Sequence, residues 1–150
     1  GYIIEWETNG ITSSYCASAP NSVTPAGGTT GSLISRIGST SVAANDLTFV
    51  AGPMAAGEPG IFYYGPNQLQ SAFGDGFRCV GGSAGTIVRM YPFAIAGAGG
   101  VLSHALDNTA PPHVQITAGA TLNFQAWYRD PAFGGAGFNL SDGLTVTFAP

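Results

Sequence analysis

The chain has 150 residues, of which only 8% are charged: four Arg, no Lys, eight Asp or Glu, and a net charge of −4. Four cations cannot build a basic face for a phosphate backbone or an anionic bilayer, so nucleic-acid and membrane-surface binding are excluded; no run of about 18 apolar residues exists to span a bilayer. With 23 Gly and 10 Pro and few good helix formers, the composition predicts an all-β fold, and the length predicts one domain.

Gly1, with no Met and no charged-then-apolar leader, reads as the start of a mature or trimmed chain. Tyr2, Ile4 and Trp6 alternate in a strand-like segment closed by the turn signal Thr8-Asn9-Gly10. Residues 1–14 are therefore expected to be an N-terminal extension, a strand that could be donated to a neighbour, ahead of a module over 15–150. Residues 17–32 read as a loop. Strand candidates then recur at short spacing: 33–37, 47–51, 61–64, 77–80, 86–91, 101–106, 114–117, 121–128 and 144–148. Gly, Pro, Asn and Asp clusters separate them. Only 41–46 and 68–73 read as helical turns. Eight or nine strands so punctuated predict a single antiparallel β-sandwich or jelly-roll-like domain.

Two strands show clear alternation. In 144–148, Leu144, Val146 and Phe148 face one way and Thr145 and Thr147 the other. In 121–129, Leu122, Phe124, Ala126 and Tyr128 share a face. Asn123, Gln125, Trp127 and Arg129 share the opposite one. That second row brings two amides, an indole and a guanidinium together. Aromatic rings cover the apolar C–H faces of sugars while polar neighbours take hydroxyls, so Trp127, Gln125 and Arg129 are the candidate carbohydrate contacts. Packing of Trp127 under a loop or a subunit is the alternative.

Catalytic and metal signals are weak. Gly81-Gly82-Ser83-Ala84-Gly85 matches a nucleophile elbow, with Asp107 and His113 following in hydrolase order. The elbow must open a helix, yet a β-branched run follows it. His104 and His113 lack further ligands at zinc spacing. The five Asp are scattered, leaving only an irregular calcium loop from Asp46, Asp75, Asp107 or Asp142 to consider. Without Lys, Walker-loop and Schiff-base chemistry are impossible. No enzyme activity, metal or cofactor is expected. Arg129, Asp130 and Asp142 predict an Arg–Asp pair at a corner. Asn139-Leu140-Ser141 is an N-glycosylation sequon at Asn139.

Cys16 and Cys79 permit one disulfide, closing a loop of about 64 residues. Two buried thiols are the other reading; the low-charge, Lys-free background favours an oxidising compartment.

From Tyr15 onward a set of blocks carries a resemblance. They are Tyr15-Cys16 with Pro20-Asn21-Ser22, then Gly60-Ile61-Phe62-Tyr63-Tyr64-Gly65 and Gly74-Asp75-Gly76-Phe77-Arg78-Cys79-Val80-Gly81-Gly82. Asn123-Phe124-Gln125-Ala126-Trp127-Tyr128-Arg129-Asp130-Pro131 and Gly137-Phe138-Asn139-Leu140-Ser141-Asp142 complete the set. The chain resembles the C-terminal β-sandwich modules of secreted or surface proteins from environmental bacteria, which have no assigned activity. The resemblance implies a Cys16–Cys79 bond and a non-catalytic extracellular module. Such modules usually follow another domain, whereas only Gly1–Ser14 precedes this one, so the chain reads as a whole object. The functional expectation is a secreted structural module, a self-associating filament or surface-layer subunit that uses Tyr2, Ile4 and Trp6. Its partners would be copies of itself. The alternative is a carbohydrate-binding or adhesion module with a polysaccharide partner.

Overall fold

A computed structural model describes residues 10–150. The segment carrying Tyr2, Ile4 and Trp6 lies outside the described residues. Eleven strands follow in chain order: β1 (Ile11–Tyr15), β2 (Leu33–Ile37), β3 (Thr48–Gly52), β4 (Pro59–Gly65), β5 (Asn67–Phe73), β6 (Gly76–Gly81), β7 (Val88–Arg89), β8 (Ala94–Ile95), β9 (Leu102–Ala105), β10 (Thr121–Arg129) and β11 (Phe138–Thr147). Six form one sheet in the order β1-β11-β10-β4-β7, with β8 also paired to β4. A second sheet runs β2-β3-β9, and β5 and β6 make a separate hairpin. Every pairing between named strands is antiparallel. The fold is thus an all-β sandwich, with two more strands than the upper expectation.

The core sits between the six- and three-stranded sheets. From the larger sheet come the even residues of β10, with Phe62, Tyr64, Leu144 and Val146; from the smaller come Ile34, Phe49, Ala51 and Leu102. Phe49 stacks on Phe124 across the layers, with ring centroids 4.3 Å apart. Such pairs add about 0.5–1.5 kcal/mol beyond area burial. The period-2 pattern therefore assigns the inner face of β10 correctly.

Four sequence-based expectations change. The 1–14 extension boundary falls inside β1, whose residues pair with β11 from Ile11↔Thr147 to Tyr15↔Gly143, so residues 11–14 belong to the sandwich. The helical turn expected at 68–73 is strand β5: the tight Gly74-Asp75 turn brings it against β6, and tertiary pairing overrides the mild helix preference of Gln, Leu and Ala. The strand expected at 114–117 is replaced by a 3₁₀ helix at His113–Gln115. Pro111 and Pro112 just before it cannot donate to a ladder, and Val114 bonds locally to Ala110. The strand at 86–91 shrinks to β7, because Thr86 closes a turn back onto Ser83.

Cys16 and Cys79 are joined, 63 residues apart in sequence. The bond fits an oxidising compartment. It ties β6 to the segment just after β1, so it fixes the hairpin to the larger sheet. In the chain-entropy model a loop of this length stabilises the fold by roughly 4 kcal/mol. Urea denaturation of reduced protein should show an unfolding free energy lower by about that amount; a difference under about 1 kcal/mol would contradict the role given to the bond.

Candidate functional site

The outer face of the larger sheet begins as the odd residues of β4 and β10. On β10 these are Asn123, Gln125 and Trp127, opposite Gly65, Tyr63 and Ile61 of β4. An exposed row is expected there from the pattern alone. Instead the β5–β6 hairpin covers its first half. Gln125 is fully buried, and its amide acts as a substitute strand for β6. Its Oε1 accepts from the Cys79 N–H at 2.9 Å and from the Tyr63 hydroxyl. Its Nε2 donates to Phe77 O at 2.9 Å and to Ser141 O at 2.6 Å. The Tyr15 hydroxyl donates to Cys79 O at 2.7 Å. Gly143 permits this reach, because a Cβ there would lie 2.3 Å from the Tyr15 ring. At the other end of the hairpin, Gln68 donates to Thr145 at 2.8 Å and Thr145 to Asn123 at 2.6 Å. Burial pushes the hydroxyls of Tyr15 and Tyr63 above the ordinary tyrosine value, so both remain protonated donors.

Beyond the hairpin the same face stays open as a groove of about 490 Å³. Ile61, Tyr63, Trp127 and Leu140 form its floor. Phe73 and Arg78 from the hairpin border one side, and Ile87, Arg89, Tyr91 and Phe93 the other. Its size falls within the ~300–1,000 Å³ common for small-ligand sites. Trp127 is half-buried and stacks on Phe138, with ring centroids 5.4 Å apart. Tyr91 and Phe93 are 61% and 55% exposed and meet edge to face. Aromatic surface left this open is unusual unless something covers it.

Of the three candidate sugar contacts, then, only Trp127 borders the groove. Gln125 is spent on the hairpin. Arg129 is exposed at the end of β10, opposite Phe138, and is not among the groove residues. Arg78 and Arg89 supply the groove's cations. They come from the nearby strands β6 and β7, both distant in sequence from β10, and no local spacing relates them to Trp127. One signal was available: Tyr63, Arg78 and Trp127 all fall in the blocks that carry the resemblance.

Other candidates take structural places. Asn139 is fully buried; its Nδ2 donates to Ala19 O at 3.3 Å and Pro20 O at 3.1 Å, leaving no room for a glycan in the folded protein. Asp130 accepts from Ser22, and Asp142 from the Ile34 N–H, so backbone and hydroxyl donors replace the expected Arg–Asp pair. Burial raises the Asp142 carboxyl above the usual range. Ser83, Asp107 and His113 are each held locally: Ser83 with Thr86, Asp107 with Thr109 and Asn45, and His113 with the Tyr64 hydroxyl at 2.9 Å. Burial holds His104 and His113 below the ordinary histidine value. Asp46 and Asp75 bind separate loops, Ser39 and Ala136 respectively. Among the described residues, no three His, Cys, Asp or Glu side chains gather around one point. Nor is any helix among them long and apolar enough to cross a membrane.

No family model matches the chain, and no curated protein or solved structure matches it.

The clamp has a direct test. Gln125→Leu strands the Cys79 N–H and the Phe77 and Ser141 carbonyls, and should cost about 2–4 kcal/mol in urea denaturation. At neutral pH Gln125→Glu should cost more, since it turns a carboxylate oxygen toward two carbonyls. Its folded-state pKa would then be raised, so stability should recover on acidification. Wild-type stability in both variants would refute the clamp.

Proposed function

We propose that this chain is an extracellular, non-catalytic carbohydrate-binding module. The observation that carries the reading is Trp127, braced by Phe138 beside an open groove rather than sealed in the core. Ile61 and Leu140 give that groove an apolar floor. The hydroxyl of Tyr91 and the two guanidiniums supply polar contacts at its sides. Sugar rings need this mixture, an aromatic face for C–H groups and polar atoms for hydroxyls. The disulfide supports an oxidising, extracellular setting.

Calorimetric titration with a panel of soluble polysaccharides tests the reading. At least one polymer should bind, and Trp127→Ala should weaken that binding by roughly 30-fold, as expected for loss of a central aromatic anchor. Circular dichroism would verify that the variant is folded. Silence across the panel, or indifference to the substitution, would defeat the proposal.

A second reading, self-association, is favoured by the topology at one edge. Among the described residues, β1 ends the larger sheet with β11 as its one neighbour there, and in sequence it comes soon after the segment 1–9. Edge strands can accept or donate pairing between molecules. Removing residues 1–9 should convert any oligomer to folded monomer by light scattering. Unchanged oligomers would eliminate this reading.

A further inference from the structure

We propose that the groove selects anionic glycans, with Arg78 and Arg89 engaging their acid groups; this rests on the carbohydrate reading above. The argument begins with donors and acceptors. A neutral sugar hydroxyl both donates and accepts, so a groove made for neutral sugars needs acceptors as well as donors. An arginine offers five N–H donors and no acceptor. Among the described residues lining this groove there is no Asp, Glu, Asn or Gln; its polar side-chain groups are two guanidiniums, two Tyr hydroxyls and the donor-only indole N–H of Trp127. One of those tyrosines, Tyr63, already donates to Gln125 inside the clamp. The free chemistry is thus weighted toward donors, and its complement is an acceptor-rich, negatively charged group.

Charge placement agrees. The chain carries four cations against eight acids, yet two of the four border this one groove. They flank Tyr63: Arg89 is its register partner on β7, and Arg78 reaches it from β6, where its charge opposes the burial that raises the Tyr63 hydroxyl. Arg78 Nε donates to Val80 O at 3.1 Å, which orients the guanidinium. A planar guanidinium fork matches a carboxylate or an oxyacid in two parallel hydrogen bonds, which a lysine could not do. The aromatic surfaces of Trp127 and Tyr91 remain for the ring faces between successive acid groups.

Calorimetry with matched polymers tests the inference separately from the reading beneath it. The probes are polygalacturonate, its methyl-esterified neutral form, and dextran sulfate. Wild-type protein should bind polygalacturonate or dextran sulfate at least about tenfold more tightly than the esterified polymer, and added salt should erode the difference. Arg78→Gln and Arg89→Gln should each weaken binding of the charged polymer more than that of the esterified one, so that the preference between the two is lost. Both arginines are exposed, so the variants should keep wild-type circular dichroism and melting. Which charged polymer binds identifies the acid group as carboxylate or sulfate. Equal affinity for charged and esterified polymers overturns the inference and leaves the carbohydrate reading standing. So does a charge preference that survives the double variant. Failure to bind any of the three overturns the inference, while the carbohydrate reading falls only if the wider polysaccharide panel is silent as well.

Discussion

The groove exists because a side-chain amide replaces a β-strand. β6 has β5 along one edge; along the other, the N–H of Cys79 and the carbonyl of Phe77 meet the Gln125 amide, and the carbonyl of Cys79 meets Tyr15. A strand laid over a sheet face would normally bury unpaired backbone groups, each costing about 1–3 kcal/mol. Gln125 removes that cost with the geometry of a peptide group, one acceptor and one donor side by side. The hairpin can therefore sit on the outer face of the larger sheet, and its flank becomes a wall. Gly65 lets it approach: a Cβ there would lie 2.9 Å from both Gly81 O and Val80 Cγ1. The disulfide secures the same strand covalently at Cys79, the residue whose N–H and carbonyl meet Gln125 and Tyr15, so two unlike interactions hold one element.

The rest of the outer face is defined by where the hairpin stops. Asn123 and Gln125 disappear under it, while Trp127, two residues further on, borders open space. Rigidity follows from this arrangement. The floor is sheet, one wall is clamped hairpin, and Trp127 is braced against Phe138. A binding surface whose rings are fixed before the ligand arrives loses less conformational entropy on binding. The low charge of the chain matters too, because two guanidiniums dominate the local field when few other charges compete with them.

Much of the fold was legible in the sequence. Alternation in 121–128 and 144–148 identified the core faces of β10 and β11, and the cysteine count with composition pointed to the disulfide. The site was much less legible. A period-2 pattern says which residues share a face; it does not say what covers that face. Gln125 and Trp127 look equivalent in sequence, yet a hairpin more than forty residues upstream buries one and leaves the other bordering the groove. β5 was hidden for a related reason, since Gln68, Leu69 and Gln70 carry no strand preference and gain their conformation from β6. Val114 errs the other way, its β-branched character yielding to two prolines. Asn139 satisfies the sequon rule, but the loop at Ala19 and Pro20 buries it.

The central claim is that the hairpin is a separately held element whose attachment builds the groove. Hydrogen–deuterium exchange on the Cys16→Ala/Cys79→Ala protein tests it most directly. The account predicts that amides of β5 and β6 lose protection while those of β10 and β11 keep theirs, because the core between the two large layers does not depend on the hairpin. Uniform loss across all strands, or unchanged protection in β5 and β6, would contradict it.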